Sequence, residues 1–138
     1  MDIAVNMIHD LKNGLGKIIN IKASNSDEYI EGKFGILSVN YMLGIVPSDL
    51  LLLNLEDKTV FQISIGAVEE YEISDKILDT EGLAGSVAIV NNNEDGNMHF
   101  LEIGTRCKII ATFETKFNKY AIVDESNQVV PLGDLTIK

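Results

Sequence analysis

Leu50-Leu51-Leu52-Leu53-Asn54-Leu55-Glu56-Asp57-Lys58-Thr59-Val60-Phe61-Gln62-Ile63-Ser64-Ile65 reads as a β-hairpin. Residues 50–55 form a short apolar run, Glu56-Asp57-Lys58 supplies a polar turn, and Phe61, Ile63 and Ile65 then alternate with Gln62 and Ser64. That two-residue period is the mark of a half-buried strand. The first strand carries leucine on both faces, with Leu50 and Leu52 on one and Leu51, Leu53 and Leu55 on the other. A strand of that kind, exposed on one side, leaves an apolar patch that something must cover. The second half of the chain and a neighbouring subunit are the two candidates, so Leu50, Leu51, Leu52 and Leu53 are the expected interface residues.

Working outward, strands recur on both sides. Upstream, Ala4, Ile8, Leu11 and Leu15 have helical spacing, Asp2 is a potential N-cap and Gly14 a terminator, which predicts a helix over residues 3–13. Ile19, Ile21 and Ala23 then alternate with polar residues, Asn25-Ser26-Asp27 offers a turn, and residues 29–40 resume an extended pattern. Gly32 and Gly35 within that strand predict a bulge or bend. Pro47-Ser48-Asp49 punctuates the chain before the leucine run, and residues 68–73 read as a charged edge strand. Downstream, residues 74–85 lose periodicity, which places a boundary there. Residues 86–90 and 98–103 read as strands flanking the polar loop 91–97. Cys107, Ile109, Ala111 and Phe113 share one phase, and residues 120–123, 128–130 and 135–137 complete a run of short strands.

The whole chain of 138 residues is long enough for one ordinary domain or two very small ones, and its formal net charge of −10 repels phosphate backbones and anionic lipid. That charge argues against direct nucleic-acid binding and against a membrane surface. The apolar run is far shorter than the roughly twenty residues of a membrane-spanning helix, and no signal peptide is visible. With one cysteine, Cys107, an intrachain disulfide framework is excluded, and a cytoplasmic protein is expected.

The order helix, Gly16-Lys17-Ile18-Ile19-Asn20-Ile21, polar turn, Tyr29-Ile30-Glu31-Gly32-Lys33-Phe34 resembles the opening of Sm-like proteins, in which a short helix precedes a strongly bent five-strand barrel. The resemblance covers residues 3–73. The Asp and Met-Asn pair of the family's RNA-binding loop is absent after Gly35, and Ser64-Ile65-Gly66-Ala67-Val68 stands in place of its basic glycine motif. The resemblance therefore implies a fold without RNA binding. Residues 104–137 are similar to a small Src-homology-type barrel, with Val130-Pro131-Leu132 and Gly133-Asp134-Leu135 forming the turn before the last strand. Lacking Trp, and with only Tyr120 close to this motif, the second half does not carry that family's aromatic groove.

Catalytic chemistry has no handle in the sequence. His9 and His99, the two histidines, have no metal-ligand spacing and read as surface or helix-cap residues. Cys107 falls on the apolar phase of its strand and reads as a buried, inert thiol. Glu69, Glu70, Glu72 and Asp75 are dense enough to suggest a cation site or an acid/base pair, yet a solvated edge explains them better, since charge on an edge prevents sheet-to-sheet aggregation. Segment 91–97 lacks the acidic spacing of a calcium loop, and no phosphate-binding glycine loop or serine elbow is present. No catalytic residue, metal ligand or cofactor-binding residue is nominated.

The expected fold class is mainly β: a short N-terminal helix followed by one or two small, strongly bent β-barrels. Residues 1–74 would hold the helix and the Sm-like barrel, 75–85 a linker, and 86–138 a second barrel-like half. The expected function is a non-enzymatic protein-protein interaction or assembly protein, partnered with a protein or with itself as a homo-oligomer. Two alternatives stand beside it: an acidic inhibitor imitating nucleic acid, and a small-ligand binder using a barrel or subunit-interface pocket.

Overall fold

The computed structural model describes residues 3–25, 28–42, 46–93 and 99–138. The chain divides into two compact units, Met1–Ile77 and Leu78–Lys138.

In the first unit, α1 (Ile3–Asp10) tightens into a 3-10 turn at Leu11–Asn13, which Gly14 closes by donating its N–H to the Leu11 carbonyl at 3.2 Å. Met7 and Leu11, four residues apart and so stacked on one face, are both buried. Five strands follow: β1 (Lys17–Asn25), β2 (Glu28–Met42), β3 (Val46–Asn54), β4 (Val60–Ser64) and β5 (Val68–Ile77). They form one antiparallel sheet in the order β4-β3-β2-β1-β5. Its core gathers Ile19 and Ile21 from β1, Phe34 and Ile36 from β2, Leu50 and Leu52 from β3, Ile63 from β4 and Val68 from β5, with Met7 and Leu11 above them.

Bulges set which residues reach this core. Opposite β3, Ile36 pairs with Leu52 and Ser38 with Leu51, so Leu37 is the extra residue. A one-residue insertion flips the side-chain phase, which is why Phe34 and Ile36 face inward before it and Val39 after it. On β5, Lys22 pairs with Glu70 and Ala23 with Val68, so Glu69 is extra, and the inward phase passes from Val68 to Tyr71 and Ile73. The expected bend in β2 exists, but Leu37 makes it, and Gly32 and Gly35 stay in register within the ladder to β1.

The second unit has β6 (Val87–Val90), β7 (Arg106–Glu114), β8 (Lys119–Val123), β9 (Val129–Pro131) and β10 (Leu135–Ile137), in the order β10-β6-β7-β8-β9. Its core holds Ala88, Val90, Leu101, Cys107, Ile109, Ala121, Val123, Val130 and Leu135. Ile110 is the extra residue of β7, because Ile109 pairs with Val123 and Ala111 with Ile122. Cys107, Ile109, Ala111 and Phe113 therefore do not share one face as expected. Past the bulge, Thr112 takes the core phase beside Ala121, and Phe113 stacks on Tyr120 on the opposite face at a ring separation of 5.3 Å.

The two units share one plan. Counted from its own first strand, each sheet runs fifth-first-second-third-fourth. In each, the second strand carries a bulge against the third, and a 3-10 turn joins the fourth strand to the fifth. Those turns match residue for residue: Ile65-Gly66-Ala67 before Val68, and Leu132-Gly133-Asp134 before Leu135. In both, the N–H of the residue after the turn bonds the carbonyl of its first residue.

This corrects the expected fold class. The fold is mainly β, but neither sheet closes into a barrel, because among the described residues the fourth and fifth strands of each are its two edges and do not pair with each other. Nor is there one N-terminal helix over residues 3–13; its eight-residue α segment and 3-10 turn are too short to form a layer. Residues 99–103 form no strand; β6 pairs with β7 and β10 instead. The strand expected to end at residue 73 runs on to Ile77, and Pro47 lies inside β3. The expected turn at Ser26 and Asp27 and the loop at 94–97 lie outside the described residues.

The face assignment of β3 can be tested. Leu52 is fully buried in the core, whereas Leu51 is only half-buried on the other face. Leu52→Ala should cost about 2–5 kcal/mol and Leu51→Ala less than half of that, read from denaturant unfolding midpoints at constant slope.

Candidate functional site

A strand at a sheet edge exposes unpaired N–H and C=O groups and is a template for another strand unless charge, proline or shortness blunts it. Among the described residues, three of the four edge strands carry such a device. β5 bears the exposed side chains of Glu69, Glu70, Glu72 and Asp75 and a bulge at Glu69. β9 and β10 are three residues each, and β9 ends in Pro131. β4, with the sequence Val-Phe-Gln-Ile-Ser, has no charge, no proline and no bulge against β3. Phe61 and Ile63 turn toward the core while Val60, Gln62 and Ser64 face outward, Val60 with 41% of its surface exposed.

The acidic edge is locally compensated. Lys22 of β1 lies between Glu31 of β2 at 3.7 Å and Glu70 of β5 at 3.5 Å. Glu70 and then Glu31 raise the Lys22 ammonium above its ordinary value. On the other phase of β5, Tyr71 donates its hydroxyl to Asp10 Oδ2 at 2.6 Å and ties the strand to α1. Burial, then that hydrogen bond and the Asp10 charge, push the Tyr71 hydroxyl well above the phenol range. Asn6, His9, Asp10, Lys17, Glu69, Tyr71 and Ile73 border an open cleft of about 870 Å³ here.

The second unit holds the buried polar groups. His99, with a fully buried side chain, places Nε2 2.9 Å from Asp134 Oδ2 and accepts the Leu101 N–H at Nδ1, 3.2 Å away. Asn92 donates to Asp134 Oδ1 at 3.3 Å. Cys107 directs its thiol at the Ala88 carbonyl, and burial, followed by the charges of Asp124 and Glu125, pushes it up. A thiol so placed is protonated and is a poor nucleophile. Asp79 anchors the entry to the unit: its carboxylate accepts the Leu83 and Ala84 N–H groups and the Thr112 hydroxyl, the last at 2.8 Å. Partial burial pushes that carboxyl up, but the hydrogen bonds from Thr112 and from the Ala84, Leu83 and Gly82 amides together hold it below its ordinary value.

Of the residues nominated from sequence, Leu50 and Leu52 lie in the first unit's core, Leu53 is buried and Leu51 half-buried. Glu69, Glu70, Glu72 and Asp75 all reach solvent on β5. Among the described residues, no group of three or more His, Cys, Asp or Glu is placed to hold a metal ion. His99 is not a surface or cap residue; its partner lies 35 positions downstream and draws it inside. Sequence reasoning passed over β4 and Asp134. The missing charge of residues 60–64 could have flagged the first, and the Asp facing Ala in two otherwise matched turns the second. Comparison with known protein families, curated proteins and solved structures finds no match to this chain.

Asp79 gives a pH dependence of defined sign. A depressed carboxyl contributes stability that is fully present above the ordinary carboxylate value and is lost as pH falls through its lower folded value. Asp79→Asn should cost about 1 kcal/mol near neutrality, as for loss of a capping side chain, and should flatten the acid limb of the stability profile. Denaturant melts of both proteins across the acid range check this.

Proposed function

We propose that this chain is a non-enzymatic assembly protein whose copies join through the free edge of β4. The observation that carries the reading is an uncharged, unbulged, five-residue edge strand where the other three edge strands among the described residues are blunted. Strand addition supplies main-chain hydrogen bonds, and the outward residues Val60, Gln62 and Ser64 supply register and contact area. The leucines of β3 support this indirectly by holding β4 in place from the interior. The Sm-like resemblance of residues 3–73 remains part of the proposal without its closed barrel and adds no RNA-binding role.

Among the described residues, no helix is long and apolar enough to cross a membrane. A cytoplasmic location belongs to the proposal and fits a single, free, buried cysteine. Lys22, set between Glu31 and Glu70, interrupts the acidic face that an imitation of a nucleic-acid backbone would need.

Absolute mass by light scattering over roughly a hundredfold concentration range tests the reading. A closed oligomer is expected, and Gln62→Lys, an exposed change that leaves the fold intact, should weaken association about tenfold or more by placing a charge on the edge. A strict monomer, or an oligomer indifferent to Gln62→Lys, would overturn it.

A further inference from the structure

We propose that His99 is a proton-operated latch on segment 99–105 of the second unit, independent of any assembly through β4. The geometry admits one neutral tautomer. Nδ1 accepts the Leu101 N–H, so it carries a lone pair, and the ring proton sits on Nε2, which donates to Asp134 Oδ2. Both ring nitrogens are engaged, and the side chain is fully buried.

A second proton has one place to go, Nδ1, and there it meets the Leu101 N–H as donor against donor. The imidazolium keeps the Asp134 carboxylate and loses Leu101. Leu101 is itself only 6% exposed, so its amide is left without an acceptor unless the segment moves.

The Asp134 side is the fixed side. Its carboxylate is held by Asn92, its carbonyl accepts the Asn91 N–H at 2.8 Å, and its 3-10 turn is closed by Leu135. Segment 99–105 belongs to no strand: Phe100 donates its N–H to Gln128 Oε1, and Thr105 donates its N–H to the Glu102 carbonyl. The end of the segment is pinned to Val90 by a pair of bonds, Gly104 N–H to the Val90 carbonyl and Val90 N–H to the Thr105 carbonyl, so the part free to move is residues 99–103. The segment buries His99 and Leu101 while holding Phe100 90% and Ile103 62% exposed. Release of the latch therefore alters how these two apolar side chains are displayed.

Among the described residues, the charged and titratable groups around the ring are few. Asp134 comes from the turn before β10. Cys107 comes from β7, in the same core as Leu101, and its thiol is kept neutral by burial. Glu102, on the segment itself, is exposed. The latch belongs to the second unit alone, since the matching turn of the first carries Ala67 where Asp134 stands.

Nitrogen-15 NMR of the intact chain tests the proposal. The neutral ring should show the Nε2–H tautomer. On acidification, the His99 ring and the Leu101 amide should titrate with a common midpoint, and Leu101 should lose about tenfold or more of its exchange protection after correction for intrinsic rates. His99→Gln offers one donor and one acceptor with no proton to gain, so it should abolish the pH response of Leu101. An Nδ1–H tautomer would overturn the latch. So would a ring that titrates without moving Leu101, a ring that stays neutral until global unfolding, or a wild-type pH response in His99→Gln.

Discussion

The constraint on which the rest of each unit depends is a three-residue connection between opposite edges of a five-stranded sheet. β4 ends at Ser64 and β5 begins at Val68, yet these strands sit at the two ends of the order β4-β3-β2-β1-β5. Four Cα steps reach about 14 Å at full extension, whereas a flat sheet of five strands is about 19 Å across. The sheet must curl until the turn can bridge it, and the bulges at Leu37 and Glu69 provide local twist. It curls without closing, and so two edges survive for each sheet. The same arithmetic holds from Pro131 to Leu135 in the second unit, where Ile110 is the bulge.

Two units solving one geometric problem with the same strand order, the same bulged strand and the same turn make their differences informative. The turn needs an apolar residue to enter, Gly in the middle and an apolar residue to leave; its third residue is free to vary. Ala67 takes the small option, and Asp134 uses its carboxylate to hold His99 and Asn92. A buried polar cluster of this kind costs stability unless each member is satisfied, and here the imidazole bonds both the Asp134 carboxylate and the Leu101 amide.

Local patterns in the sequence were enough to find most strands. The alternation of Phe61, Ile63 and Ile65, of Ile19, Ile21 and Ala23, and the turn at Glu56-Asp57-Lys58 are read by neighbours alone. What escaped was non-local. Phase reversal at Leu37 and Ile110 leaves no mark on composition, so simple alternation puts Ala111 and Phe113 on the face of Cys107. The pairing of β1 with β5 and of β6 with β10 joins segments that no short window contains, and short strands with glycines point to closed barrels where the ladders in fact stop. His99 looked like a surface residue because its partner is brought to it by the last turn of the chain.

Charge and edge chemistry act against each other in the proposed assembly. A net charge of −10 sets separate copies against one another, and its repulsion extends about 8–10 Å at ordinary ionic strength. Strand pairing works at about 4.8 Å, inside that range, so the edge that pairs must not add to the repulsion. β5 carries carboxylates along an edge still open to solvent, while β4 carries none. That asymmetry allows one molecule to resist indiscriminate aggregation through most of its periphery and still leave a single strand on which hydrogen bonding can outweigh charge. The leucines of β3 fit the same division: Leu50 and Leu52 spend their apolar surface in the core, which fixes β4 rigidly enough for its backbone to serve as a template.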